Sequence, residues 1–464
     1  MADTVAVLRL ALGQLRLRPA SFLGLAAALL LAEAAVTLFG SLIAAQASAP
    51  SGARAAAGPG LVLIAGAFGE IAVLVSLVTV VNALGFTVRQ QYRELALLRT
   101  VAATPRQARR LVRRQVAAVV LAVTPAGWVL GRVGARWFLA ELTVRGMAPA
   151  GLAVPGTPLP LLVALAVALL VSLAATEVAV RRISRIAPAA ALAESGDEGP
   201  RTGPLRMVAG LAALAGGAAL VRLAATAAPD KSGQAALLAA LVLLVAVGLL
   251  GPLAAGPVTA LPGLPVRLLA RRAGWLAEAN LRGYAHRLSA AVVPIALLTG
   301  LAGTMVLMTT TVERLTAAAL PPGSGLATVT SETDSWLRQA EFTMLAGFAA
   351  VATVNTLVAL TADRRREFAL LVLVGATRRQ LARMLGAEAL LTAVAGVLLG
   401  AVVAFTAAGA FSLPLTGSVV PAVPWGTFGW IVAGAGVLTL PSVLGTGLLV
   451  SAGPAVAAVG GRRG

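Results

Sequence analysis

Ten times along this chain a run of more than twenty mostly apolar residues recurs, at roughly 20–46, 61–87, 116–139, 158–180, 207–227, 234–258, 289–312, 340–361, 386–410 and 426–450. Each run is long enough, as a helix, to cross a hydrocarbon core of about 30 Å. Backbone groups in lipid must find their hydrogen bonds within their own segment, which selects helices over loops and open strands. The expectation is an all-α polytopic membrane protein with ten transmembrane helices. Only 12% of residues are charged against 59% hydrophobic, and a water-soluble domain carries about twice that charged fraction. The first run follows Arg9, Arg16 and Arg18. It is too long for a signal-peptide core and is expected to stay as an uncleaved anchor.

Charge sets the orientation. The net charge of +19 comes from 36 arginines and the single lysine, Lys231. With the N-terminus inside, the inner segments hold 29 of the 37 basic residues, as the bias of Lys and Arg toward cytoplasmic loops requires. Both termini are therefore expected in the cytoplasm, and the expected location is a bacterial cell membrane; the Ala- and Arg-rich bias reflects a GC-rich genome. Arginine held in short inner loops accounts for the basic charge without a nucleic-acid partner. The chain has no cysteine and one histidine, His286. Disulfides, thiolate chemistry and histidine-rich metal sites are excluded, and no metal ligand set is expected. Lys231 follows Pro229-Asp230, so there is no Gly-Lys-Ser/Thr loop to hold nucleotide phosphates.

A segment of nineteen residues occurs twice. RELALLRTVAATPRQARRL (Arg93 to Leu111) and REFALLVLVGATRRQLARM (Arg366 to Met384) share eleven identical positions at a constant offset of 273, which also aligns Asn82 with Asn355. Each copy lies between two spans and opens on a basic cluster: Arg89 and Arg93, or Arg364, Arg365 and Arg366. An Arg-Glu pair, an apolar stretch and a small-residue turn follow. A short amphipathic helix is expected to begin near Thr104 or Thr377, with the threonine as N-cap and Pro105 in the first turn, ahead of a separate return span. Topology and anionic lipid require only positive charge. The shared Glu94 and Glu367, Gln107 and Gln380, in fixed register, point to a docking surface used twice.

The halves follow from the repeat. Spans 1–4 and 7–10 form two parallel pseudo-symmetric four-helix halves, joined by the two-helix connector of spans 5 and 6. The equivalence is clear for spans 2–4 and 8–10 and rests on position alone for spans 1 and 7. The expected divisions are 1–60 (first span and a short outer loop), 61–193 (repeat 1), 194–258 (linker and connector), 259–338 (span 7 and its outer loop) and 339–464 (repeat 2). The polar stretch ESGDEGPRTGP at 194–204 reads as a linker. The longest outer segment, 313–339, is too short for an independent soluble domain.

The duplicated segment resembles the motif of the FtsX-like permease family of ABC transporters, which reads approximately R-x-x-E-x-A-L-L-R-x-x-G-A-T-x-x-Q. RQQYRELALLRTVAATPRQ (Arg89 to Gln107) and RREFALLVLVGATRRQ (Arg365 to Gln380) carry the likeness, with Ala102 at the family's glycine and Val372 at its arginine. The family often has glutamate just after this helix; the second copy matches with Glu388, while the first has Gln115. RRISRIAPAAAL (Arg181 to Leu192) is similar to the family's basic tail ending in Pro-Ala-x-x-Leu, and the C-terminal SAGPAVAAV is a shorter version. The resemblance implies a permease subunit without catalytic activity, docked through its two repeated elements onto a separate cytoplasmic ABC ATPase, a homodimer, which binds ATP and Mg. It implies Arg93, Glu94, Thr104, Arg106 and Gln107, and Arg366, Glu367, Thr377, Arg378 and Gln380, as docking residues. It also implies mechanotransmission across the membrane. The large outer domains of many relatives have no counterpart here, which leaves room for an accessory envelope protein.

Charges inside spans are candidate functional positions. Glu33, Glu70, Arg132, Arg136 and Glu388 lie in or near spans, as do Glu177 and Arg222. Glu33 sits mid-span, either facing a polar group or cation or bonded to another helix. Glu70 is expected to pair with Arg132 or Arg136, and Glu177 with Arg181, four residues on. Pro125 and Pro294 are candidate kinks. The leading reading is a permease that exports or extracts a lipid, lipopeptide or hydrophobic antimicrobial. The alternatives are an ATPase-driven signalling subunit acting on an envelope partner, and an ion-coupled secondary transporter using Glu33 and Glu70.

Overall fold

The computed structural model describes residues 20–52, 60–90, 104–184, 204–269, 285–319 and 326–452. These form α1 (Ala20–Ala47), α2 (Gly60–Gln90), α3 (Pro105–Val144), α4 (Leu159–Ser184), α5 (Pro204–Thr226), α6 (Pro229–Leu269), α7 (Ala285–Ala319), α8 (Leu326–Ala362), α9 (Arg365–Leu373), α10 (Arg378–Thr416) and α11 (Trp425–Ser451). No strand occurs among the described residues. Nine of the helices are long and apolar enough to cross a membrane. The remaining expected span, 61–87, coincides with α2, which continues without a break from Gly60 to Gln90.

Two compact units divide at Glu198/Gly199, inside the expected linker, whose residues up to 203 lie outside the described ones. The connector helices α5 and α6 belong to the second unit, where α6 packs on α7 and α10.

Within the first unit α1 is central, packed against α2, α3 and α4. Phe22, Leu25 and Leu29 of α1 meet Val80 and Leu84 of α2 and Val116 and Val120 of α3. Farther along α1, Phe39, Phe68 and Phe138 form an aromatic trio with centroids 5.9–6.3 Å apart, offset and tilted as ring quadrupoles favour. Within the second unit α7 holds the same place, packed against α8, α10 and α11. Its span is mostly buried, as expected of a helix that is apolar on all sides.

Small residues set how closely these central helices approach. On α10, Gly396, Gly400, Ala404 and Ala408 recur every fourth residue, so they line one face; such stripes let membrane helices come together. A Cβ on Gly400 would lie 1.9 Å from Thr299 Oγ1 and 2.9 Å from the Ala296 carbonyl oxygen, and one on Gly396 2.6 Å from Ile295. In the first unit a Cβ on Gly127, 273 residues before Gly400, would lie 2.9 Å from Glu33 Cβ, and one on Gly131 2.6 Å from the Ala34 carbonyl oxygen. Glu33 of α1 and Thr299 of α7 thus each face one of two glycines that stand 273 residues apart. Sequence comparison alone could not register those two helices.

Two expectations change. The segment 313–339 is not one outer loop: α7 runs to Ala319 and α8 starts at Leu326. The arginine-bearing helix after each turn is not separate from its return span. α3 and α10 are single helices of 40 and 39 residues, because Leu381, Met384 and Leu385 keep a buried face in register and no breaker intervenes. Pro125 and Pro294 lie inside continuous α3 and α7.

In α6 a proline removes a backbone donor. Pro252 has no N–H for the Gly248 carbonyl one turn earlier. Arg206 of α5 supplies the missing donor: its Nη2 donates to the Gly248 carbonyl and its Nε to the Leu249 carbonyl, each at 3.0 Å.

Candidate functional site

The second copy of the repeat forms an elbow. α9 ends in a paired turn: Gly375 N–H donates to the Val372 carbonyl (3.0 Å) and Ala376 N–H to the Leu371 carbonyl (2.9 Å), with Gly375 at φ +99°. That is a left-handed helix terminus, which glycine adopts without a Cβ penalty. Two residues later Thr377 caps α10. Its hydroxyl accepts from Gln380 N–H (3.3 Å), and the Gln380 side chain accepts from Thr377 N–H (2.8 Å). This reciprocal box satisfies two donors that a helix start otherwise leaves open. The chain therefore passes from a short helix to a long one within four residues.

The elbow turns different faces inward and outward. Phe368 and Ala369 are buried; Phe368 packs with Leu357, Leu381, Met384, Leu385 and Val443. At the tip Leu370, Leu373 and Val374 are exposed, Val374 by 89%. Arg366, Arg378, Arg379 and Arg383 are exposed around them. Exposed apolar side chains and exposed guanidinium groups therefore alternate along this stretch of the sequence.

Arg364 ties the elbow to the long helix. Only 8% of its side chain is exposed. Its Nε donates to Glu367 Oε2 at 2.9 Å and its Nη1 to Glu388 Oε1 at 2.6 Å, and its guanidinium carbon lies 5.0 Å from the Phe368 ring centre. Glu388 is 14% exposed and its second oxygen, buried, has no hydrogen-bond partner among the described residues. Burial on its own lowers the Arg364 pKa, but Glu388 and then Glu367 outweigh it and hold the group above the ordinary arginine value.

In the first copy, Arg93 and Glu94 lie outside the described residues. The described part, from Thr104 on, repeats the cap: the Thr104 hydroxyl accepts from Gln107 N–H (3.3 Å) and the Gln107 side chain from Thr104 N–H (2.9 Å), with Pro105 opening α3. Arg106 and Arg110 are exposed. Arg109 instead reaches Glu177 of α4 at 3.4 Å. The expected partner of Glu177, Arg181, has no described side chain.

Thr104 with Gln107 and Thr377 with Gln380 thus form two matching caps, Glu367 is drawn into the Arg364 clamp, and Arg106, Arg366 and Arg378 are exposed. The clamp at Arg364 and the exposed Leu373 and Val374 were not among the predicted docking residues. The covariation between copies held a signal for the clamp: where the second has Arg364 and Glu388, the first has Gln91 and Gln115.

Among the intramembrane positions, Glu33 is 2% exposed. Its Oε1 bonds the Thr124 hydroxyl at 3.2 Å, and its Oε2 has no hydrogen-bond partner among the described residues. Thr124 also donates to the Val120 carbonyl at 2.8 Å. Glu70 is exposed and forms no ion pair with Arg132 or Arg136. Arg132 lies over the Trp128 ring at 5.2 Å, and Arg136 and Arg222 are exposed. No cluster of metal-ligating side chains occurs among the described residues.

The family model for the FtsX-like permease C-terminal domain matches residues 66–188 and 341–453, together just over half of the chain. One match falls in each compact unit, and each spans one copy of the duplicated segment and the long helices on either side of it. No curated protein matches the chain.

Proposed function

The chain belongs to the FtsX-like permease family, and on that premise we propose that it couples ATP hydrolysis by a cytoplasmic ABC ATPase homodimer to the export or extraction of a lipid, lipopeptide or hydrophobic antimicrobial. FtsX-like permeases are multi-pass subunits of ABC transporter type, generally partnered by a cytoplasmic ABC ATPase. In our reading the chain has ten spans in two parallel halves, with both termini and both elbows in the cytoplasm. One elbow seats on each ATPase subunit, and the chain itself hydrolyses no ATP. Closure of the ATPase dimer moves the elbows, and the long helices carry that motion through the bilayer by mechanotransmission. Membrane lipids surround the spans, and an accessory envelope protein supplies any outer domain.

The observation that carries this reading is the same reciprocal cap built twice, Thr104 with Gln107 and Thr377 with Gln380, each opening a helix that runs on as a membrane span. A topology signal needs no such cap; a rigid dock does. Co-purification with candidate ATPases tests it. Val374→Asp with Arg379→Glu, combined with Val101→Asp and Arg106→Glu, is expected to abolish ATPase capture while leaving the yield of folded chain unchanged. Capture undiminished in that variant would overturn the docking role.

A second reading has its own observation. Glu33, buried with one oxygen unpartnered, fits an ion-coupled transporter. Transport that proceeds with no ATPase present and stops in Glu33→Gln would favour it.

A further inference from the structure

We propose that Arg132 and Arg136 of α3 bind the phosphate of an anionic phospholipid, at the end of the first unit remote from the Thr104 cap. The proposal concerns the first unit alone and stands apart from the ATPase-docking reading.

The two arginines lie where an arginine is expensive. α3 turns apolar at Val116, after Arg113, Arg114 and Gln115. Counted from Val116, Arg132 stands about 24 Å along the helix and Arg136 about 30 Å. A hydrocarbon core is about 30 Å thick, so Arg132 falls in its far half and Arg136 at its far edge. Val129, Val133 and Trp137 around them are exposed, as on a helix face turned to lipid. A guanidinium at that depth needs a counter-charge. Topology does not call for these two, because the arginines that fix orientation belong in cytoplasmic loops, and the basic cluster of this repeat lies at the other end of α3.

The described protein supplies no such counter-charge. Arg132 meets a ring: its guanidinium carbon lies 5.2 Å from the Trp128 ring centre. A ring face attracts the cation but carries no net charge to balance it. Arg136, one turn on and exposed, forms no ion pair among the described residues. The acids at this end of the unit are Glu70, which is exposed and meets neither arginine, and Glu141, which is taken by Arg145. Deeper in the unit Glu33 is bonded to Thr124. The connecting segments 48–59 and 145–158 hold no acidic residue and add Arg54 and Arg145. Guanidinium groups pair with phosphate oxygens through parallel N–H donors. At the edge of a bilayer core the phosphate at hand is that of a lipid headgroup.

The chain has no native cysteine, so a single label reports one position. A fluorophore is attached at Val133→Cys, between the two arginines, and separately at Leu162→Cys, an exposed position in the first turn of α4 at the same end of the unit. The full chain is reconstituted in nanodiscs of phosphatidylcholine and phosphatidylglycerol, with one lipid or the other brominated as quencher. Quenching at Val133 is expected to be about fivefold stronger from phosphatidylglycerol, with no preference at Leu162. Arg132→Gln with Arg136→Gln should bring Val133 to the level of Leu162. Equal quenching by the two lipids at Val133, with both arginines present, would overturn the proposal whether or not the double variant folds. So would an equal preference at the two positions, which is the general attraction of a basic chain for anionic lipid. A preference that survives the double substitution would overturn it too. A preference erased by added inorganic phosphate would assign the arginines to a soluble anion and overturn the lipid.

Discussion

Arg206 Nη2 donates to the carbonyl of Gly248 at 3.0 Å, the oxygen that Pro252 leaves without its helical donor. Replacing Arg206 by leucine strands that acceptor in an apolar setting, at a cost of about 1–3 kcal/mol. The detergent-solubilised chain is expected to melt earlier. Pro252→Ala restores an N–H at the right place, so Arg206→Leu should cost measurably less on that background. Equal costs on both backgrounds in a double-mutant cycle would refute this account.

Gly400→Ala should be among the most damaging small substitutions in the chain. The added Cβ meets Thr299 Oγ1 at 1.9 Å, and backbone atoms Ala296 O and Gly300 N at 2.9 Å. Overpacking of this kind costs about 1–3 kcal/mol or more. Thr299→Ala should rescue it only in part, since the backbone contacts remain. Gly434→Ala, with nothing within 4 Å, should leave the melting curve unmoved.

Thr377→Ala removes one side of a reciprocal cap and is expected to cost about 0.5–2 kcal/mol. Hydrogen exchange should rise in the first turn of α10 and at the elbow, and stay level at Thr439, which sits inside α11. Thr104→Ala should do the same at the start of α3. An effect spread evenly over the chain would contradict a local role.

The Arg364 clamp should not titrate from the basic side. A cation whose pKa is raised on folding contributes fully below its unfolded value and is lost only above the folded one. Here both lie far above neutrality. The melting-temperature difference between the unmodified chain and Arg364→Gln is therefore expected to stay constant from about pH 7 to 9. Removing one partner of so buried a pair costs about 3–5 kcal/mol, large enough for a drift to be seen.

Glu33→Gln should be tolerated. The amide keeps a hydrogen-bonding group toward Thr124, and the unpartnered Oε2 shows that no cation among the described residues depends on the charge. Thermal half-life in detergent is expected to equal or exceed that of the unmodified chain. A marked fall would mean that the carboxylate itself holds α1 to α3.

The helical class and the placement of most spans were legible in apolar run length, because lipid leaves the backbone few alternatives. The caps were legible too, since Thr104 and Thr377 each stand three residues before a glutamine. The extent of the helices was not. Run length marks where the apolar stretch ends, while α7 and α8 continue through polar residues such as Glu313 and Gln339. Pairings across helices were the least readable. Glu70 was expected to meet Arg132 or Arg136 and meets neither, while the contact of Glu177 with Arg109 on another helix was not legible at all. Nor does spacing along the chain reveal that Glu388, 24 residues on, faces Arg364.

The length of α10 has a consequence of its own. As a rod of 39 residues it measures about 58 Å at 1.5 Å per residue, nearly twice the thickness of the hydrocarbon core. The contact that admits no Cβ, at Gly400, divides it into arms of about 33 Å toward the elbow and 24 Å toward Thr416. The arm toward the elbow alone is thus about as long as the hydrocarbon core is thick, and both arms extend from a contact with α7 that leaves no room for a side chain.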